Sequence, residues 1–212
     1  MTAIPSEALD AYLDAHATPL EPLLQENRRE TYASLSSPQM IAGPVVGRLL
    51  RLLVSIVAPR LVLEIGTFTG YSALAMAGGL PPDGRIVTCE LSPERAAFAQ
   101  GYFDRSPWAD RIDVRVGPAL DTVNALDGPV DFVFIDADKD GYPGYYEAVV
   151  PKLSPRGVIV VDNTLSGGDV VDPVDERDRA MAAFNDHVQA DDRTENALLS
   201  VRDGVSVIRL AT

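Results

Sequence analysis

The chain has 212 residues, 46% of them hydrophobic and 23% charged, a balance that excludes a disordered tail or a fibrous repeat and fits one folded unit with a sizeable core. Thirty-one acidic residues against 18 basic ones leave a net charge of −13, which disfavours a sequence-independent grip on nucleic acid or anionic membrane and makes a small molecule the expected partner. A lone cysteine, an N-terminus without a basic signal region, and a most apolar run (Leu52 to Ala58) far short of the ~20 residues of a membrane helix make a soluble, cytoplasmic protein the expectation.

Residues 1 to about 58 read as helical, with breaks marked by Pro19, Pro22, Pro38 and Pro44, and form an appendage expected to pack on the sheet or on a partner. From residue 59 to 212 the pattern is that of a cofactor-binding core, so the whole chain is expected to be a single domain. Short apolar, β-branched runs mark strands at Leu61–Ile65, Arg85–Glu90, Ile112–Val116, Val130–Ile135 and Val158–Val161. Their continuous apolar character means both sheet faces are covered. Between them Tyr71–Leu80, Pro93–Arg105, Ala119–Leu126 and Tyr142–Lys152 read as helices, the second opened by Ser92 as cap and Pro93 at its first position. An acidic loop from Ser166 to Asp178 leads to a helix around Arg179–Val188. Two last strands, Ala197–Val201 and Val205–Leu210, flank Arg202-Asp203-Gly204, which reads as a hairpin turn. The expected fold class is α/β: a Rossmann-like, seven-stranded, mainly parallel sheet with an antiparallel C-terminal hairpin, helices on both faces and a helical N-terminal appendage.

The first strand runs into Glu64-Ile65-Gly66-Thr67-Phe68-Thr69-Gly70-Tyr71-Ser72, where the glycines allow a sharp turn and close approach of a ligand to a helix N-terminus. A dinucleotide loop would carry a third glycine; here an acid, Glu64, stands at the strand end and suits a cationic group. Glu90, at the end of the second strand, lies where a carboxylate bonds ribose hydroxyls in nucleotide-binding folds. S-adenosylmethionine meets both demands, with its ammonium for the Glu64 region, its ribose for Glu90 and its carboxylate for the Ser72 end. Further along, Asp136 ends the fourth strand and Asp162-Asn163 the fifth. In a parallel sheet these ends border the same crevice, so three oxygen donors converge beside Gly66 and suit a hard divalent cation, magnesium first, with calcium or manganese as alternatives. Lys139, just beyond Asp136, is a base within reach.

Several motifs in one order resemble the cation-dependent O-methyltransferases, the group that includes catechol and caffeoyl-CoA O-methyltransferases. They are Met40 with Pro44, Gly47 and Leu50; Leu63 to Leu74; Leu80-Pro81-Pro82-Asp83-Gly84-Arg85-Ile86; Asp136-Ala137-Asp138-Lys139; Asp162-Asn163-Thr164-Leu165; and Asp203-Gly204. The resemblance covers about residues 36 to 210. It implies Asp136, Asp162 and Asn163 as metal ligands and Lys139 as the base that takes a phenolic proton. Glu64, Gly66, Thr67 and Ser72 would hold the methionine part of the cofactor, Glu90 the ribose, and Ala119 would border the adenine. Ala42 would supply a backbone contact, Asp136 would also adjoin the cofactor, and Met40, Lys139 and Asn163 would face the acceptor. A homodimer is expected on the same ground.

The chain departs from the plant-type enzymes after Asp162-Asn163-Thr164-Leu165. There tryptophan and a basic residue are common, whereas here Ser166-Gly167-Gly168-Asp169-Val170-Val171-Asp172 follows. With Asp169, Asp172, Asp175 and Glu176 set to repel the phosphates of a CoA thioester, the expected acceptor is a free vicinal-dihydroxy aromatic small molecule. A metal-independent methyltransferase of the same fold, a nicotinamide-dependent oxidoreductase and a non-catalytic binding module are the alternatives. His16, His187 and Trp108 read as surface or packing residues, and Arg177 with Arg179 as a solvated helix start.

Overall fold

The computed structural model describes residues 7–212, so the first six residues of the helical N-terminal reading lie outside the described residues. In chain order the elements are α1 (Glu7–Ala15), α2 (Pro22–Ser34), α3 (Gly43–Val57), β1 (Leu61–Ile65), α4 (Tyr71–Ala77), β2 (Arg85–Glu90), α5 (Pro93–Phe103), β3 (Ile112–Val116), α6 (Ala119–Ala125), β4 (Val130–Ile135), α7 (Tyr142–Val149), β5 (Leu153–Asp162), α8 (Glu176–Gln189), β6 (Thr194–Leu199) and β7 (Val205–Leu210). They build one seven-stranded sheet of order β3-β2-β1-β4-β5-β7-β6. The pairs from β3 through β5 are parallel, and β7 runs antiparallel to both β5 and β6. β1 pairs with β2 on one side and β4 on the other, so the order reverses between β1 and β4. That reversal opens a crevice at the carboxyl ends of the strands.

Strand residues alternate between two cores. Val62, Ile86, Phe132, Phe134 and Val160 face one helical layer together with Val46, Leu50 and Val54 of α3, Leu74 of α4 and Phe103 of α5. Leu63, Ile65, Val87, Val133 and Val161 face the other, with Val123 of α6, Tyr146 of α7 and Phe184 of α8. Each fully buried Leu or Val contributes about 1.5–3 kcal/mol. The N-terminal segment therefore packs on the sheet. It also braces the crevice, because the buried Asn27 of α2 donates from Nδ2 to Thr69 O at 2.7 Å.

The stretch Pro38–Val57, 20 residues with mean hydropathy 1.8, is long and apolar enough to cross a membrane, longer than the Leu52–Ala58 run suggested. Its inner stripe is committed to the first core, and its two arginines are ion-paired, Arg48 with Asp14 and Arg51 with Glu21. That is how a core helix spends its surface. It stops at Ala58 in the left-handed region, whose N–H closes on Val54 O at 2.8 Å ahead of Pro59.

α4, α5 and α7 end at Ala77, Phe103 and Val149, short of the expected Leu80, Arg105 and Lys152, and three other elements differ in where they begin. β5 begins at Leu153 rather than Val158, because Leu153 pairs with Val130 before a register shift, and the polar Ser154-Pro155-Arg156-Gly157 hides that start. β6 is Thr194–Leu199 rather than Ala197–Val201; it is a half-exposed edge strand, and Val201 belongs to a turn closed by Gly204 N–H to Val201 O at 2.9 Å. α8 starts at Glu176, three residues early, since Asp175 accepts from Asp178 N at 2.9 Å and caps it.

Candidate active site

The crevice is built around Gly66. Its φ is +102°, and a Cβ there would lie 2.0 Å from the carbonyl oxygen of Asp136, so only glycine lets the end of β1 run this close to the end of β4. Gly66 and Thr67 both donate their N–H to Cys89 O at 3.1 Å, and Asp136 N–H donates to Ile65 O at 2.9 Å. The loop is thereby fixed to both neighbouring strands. Above it lies a cavity of about 940 Å³. Met40, Ala42, Gly66, Thr67, Ser72, Glu90, Ala119, Asp136, Lys139, Asp162 and Asn163 all line it.

Glu64 is the exception among the expected site residues. It is fully buried beneath the loop and does not line the cavity. Its Oε2 accepts from Thr88 Oγ1, Oε1 has no hydrogen-bond partner among the described residues, and burial pushes the carboxyl up to about 8. The strand pleat explains this. Residues ending a central parallel strand alternate between helical layers, and Glu64 falls on the side covered by α4, behind Ser72. An unpartnered buried acceptor next to Ser72 fits the ammonium of a methionine moiety. Glu90 fits a ribose: Oε2 accepts from Phe68 N at 2.8 Å and Oε1 from Ser92 N at 2.9 Å, leaving each oxygen a further lone pair.

On the other side of the cavity Asp136, Asp162, Asn163 and Lys139 meet. Lys139 Nζ donates to Asn163 Oδ1 at 2.8 Å and to the Tyr142 hydroxyl, stands 3.5 Å from Asp136 Oδ1, and lies 4.5 Å from the Tyr142 ring centre. Asp162 Oδ1 accepts from Asn163 N at 2.8 Å, while Oδ2 is buried with no hydrogen-bond partner among the described residues. Asn163 holds φ +60°, in the left-handed region that asparagine tolerates. Burial and the charge of Asp136 push Asp162 up to about 7; burial likewise raises Asp136. Lys139 is lowered by burial, against the pull of Asp136 and Asp162. Its depression therefore comes from desolvation. No group of three His, Cys, Asp or Glu side chains gathers among the described residues. Two carboxylates, one an orphaned oxygen, and an amide carbonyl are nevertheless the donor set a hard divalent ion takes while keeping positions for other oxygens.

Arg177 is exposed at the start of α8, as expected, but it also lines the cavity, while its neighbour Arg179 does not. Tyr145 and Arg202 also line it, and sequence reading passed over both. For Arg202 a signal existed. β7 runs antiparallel beside β5 with Val205 opposite Asp162, which puts the preceding turn at the same sheet edge as Asp162. His16 stacks on Tyr12, His187 bonds Glu147 at 2.8 Å, and Trp108 packs on the first core, as expected of residues outside a site.

A Gly-turn with an acidic ribose partner at the reversal of a Rossmann-like sheet, beside a cation-ready carboxylate pair, defines a class: enzymes that act with a nucleoside cofactor on an oxygen-rich acceptor. Comparison with known proteins agrees. The O-methyltransferase family model matches residues 14–211. A catechol O-methyltransferase of Mycobacterium tuberculosis is 40% identical over 176 residues, 82% of this chain and 79% of its own. Caffeoyl-CoA O-methyltransferase 1 of Zea mays is 36% identical over 211 residues, covering 93% and 82%. The crystal structure of an O-methyltransferase from Bacillus cereus in complex with S-adenosylhomocysteine superposes with a TM-score of 0.88 at 33% identity, over 96% of this chain and 97% of that one. The chain belongs to the O-methyltransferase family, as an S-adenosylmethionine-dependent enzyme of the caffeoyl-CoA and catechol type.

Proposed function

We propose that this chain methylates one hydroxyl of a free vicinal-dihydroxy aromatic molecule, with a divalent cation, magnesium first, held by Asp136, Asp162 and Asn163. The observation that carries this reading is the buried, unpartnered Asp162 Oδ2 in the cavity wall beside Asp136, Asn163 and Lys139. A bound cation would supply charge that lowers the pKa of a phenol and would fix two adjacent oxygens. Lys139, depressed by burial, accepts the phenolic proton at Nζ, and Asn163 Oδ1 holds that nitrogen in place. Ser72 and the Glu64 beneath it receive the methionine end of the cofactor, Glu90 orients the ribose, and Met40 and Ala42 close the site above the acceptor. Positioning of the two reactants supplies much of the rate.

The acceptor is free rather than CoA-linked. The segment between Asn163 and Arg177, which both line the cavity, carries Asp169, Asp172, Asp175 and Glu176 on its exposed side, and a chain of phosphates leaving the cavity there meets like charge. Competition between a catechol acid and its CoA thioester for labelled methyl tests this: the free acid is expected to win. Faster methylation of the thioester with saturable binding overturns the choice of acceptor.

A further inference from the structure

Two guanidinium groups enter the cavity from elements beyond the parallel part of the sheet. Arg202, at φ +48° in the β6–β7 turn, lines the cavity, and Arg177 comes from the first turn of α8. Arg202 Nη1 donates to Ala42 O and, at 3.3 Å, to Ile41 O. Its Nη2 and Nε make no hydrogen bond among the described residues, so most of its five donors are uncommitted. Arg177 has neither an ion pair nor a hydrogen bond among the described residues.

Among the described residues no acid is ion-paired with either group, although Asp178 feels the charge of Arg177. Asp203 accepts from Gly167 N, Asp138 from the Tyr145 hydroxyl at 2.6 Å, and Asp178 from Ser166 Oγ at 2.8 Å. Glu90 accepts from two backbone amides on the ribose side of the cavity. What remains is the buried pair Asp136 and Asp162, close enough that the charge of Arg202 acts on both. That pair is the cation set of the proposed reaction. In a chain with a net charge of −13, two arginines without a carboxylate partner, converging on one cavity from different elements, call for an anionic ligand.

We propose that Arg202 and Arg177 form the carboxylate-recognising end of the acceptor pocket, so that the acceptor is a dihydroxylated aromatic acid held by its carboxylate opposite the hydroxyl that is methylated. This rests on the O-methylation reading above and names the substrate class. It also reconciles the cavity with its rim. Arg202 in the cavity and Arg177 at its mouth take a compact monoanion; beyond them the acids of residues 169–176 turn away a polyphosphate tail. Arg202 has a second task, tying the β6–β7 turn to the Ile41–Ala42 segment that carries Met40, so it positions the acceptor lid as well.

The test compares 3,4-dihydroxybenzoate with its methyl ester and its amide, which keep the diol and remove the charge. For the natural chain kcat/KM for the acid is expected to exceed that for ester and amide at least ~10-fold, chiefly through KM. Arg177→Gln, on an exposed helix turn where folding is not at stake, is expected to bring the ratio toward one, as is Arg202→Gln. Because Arg202 also holds Ala42, its variant lowers transfer to all three acceptors, and the ratio rather than the absolute rate reports recognition. Equal kcat/KM for acid and ester in the natural chain, or a ratio that survives both substitutions, overturns the proposal while leaving O-methylation standing. No transfer to acid, ester or amide, with S-adenosylmethionine bound, overturns the underlying reading and this inference with it.

Discussion

Replacing Gly66 by alanine probes the contact on which the site is built. The residue sits at φ +102°, which costs a side-chain-bearing residue about 1–3 kcal/mol. The new Cβ would also lie 2.0 Å from Asp136 O and 2.8 Å from its carbonyl carbon, both backbone atoms that no rotamer change can move. Relief requires the ends of β1 and β4 to part, which strains the Asp136 N–H to Ile65 O bond, worth about 1 kcal/mol net. The sum is about 3 kcal/mol or more, a fall of roughly 6–12 °C in Tm for a chain of this size. Gly144→Ala is the matched control: it lies in α7 with nothing within 4 Å of its ideal Cβ, and alanine there is expected to gain about 0.5–1 kcal/mol. Thermal and urea melts of both variants, followed by far-UV circular dichroism, decide the matter. A Gly66→Ala protein that melts within 2 °C of the natural chain refutes the reasoning, as does a Gly144→Ala protein that falls as far.

Three other outcomes follow from the buried charges. Glu64 binds its proton more tightly folded, at about 8, than exposed, at 4.5, so its contribution to stability is fully present below pH 4.5 and is lost as pH rises toward 8. Urea titrations from pH 5 to 9 should show that decline in the ligand-free chain and a shallower one in Glu64→Gln; parallel slopes would contradict it. Asp162→Asn removes a buried carboxylate with an orphaned oxygen, and is expected to leave the metal-free Tm unlowered while cutting magnesium-supported transfer ~100-fold or more. Lys139→Ala should reduce kcat by ~10²–10⁴ with cofactor affinity retained; a loss confined to the affinity for S-adenosylmethionine would move Lys139 out of the chemistry.

Much of this protein can be read from its sequence, for a physical reason. Parallel strands buried on both faces are near-continuous apolar runs, so β1, β2 and β4 stand out with their ends intact, whereas the edge strand β3 is largely exposed and shows instead as alternating apolar and polar residues. The site residues sit where those runs stop, which is why Asp136, Asp162 and Asn163 could be placed together before any coordinates. What stayed hidden depends on direction rather than position. The pleat sends Glu64 beneath its loop, and no linear pattern shows which side of a strand end faces a cavity. The edge strand β6 lacks a buried face to mark its limits. Arg177 reaches the cavity only because the acidic segment folds back against the hairpin turn, where Leu165 N–H donates to Asp203 O at 2.8 Å. That long-range closure leaves no local trace.

The central claim is that Asp136, Asp162 and Asn163 make methyl transfer depend on a divalent cation. Transfer of labelled methyl from S-adenosylmethionine to 3,4-dihydroxybenzoate, with magnesium and again with excess chelator, measures it directly. The account predicts product with magnesium, loss of nearly all of it on chelation, and recovery when magnesium is restored in excess. Transfer at an undiminished rate in chelator would contradict it.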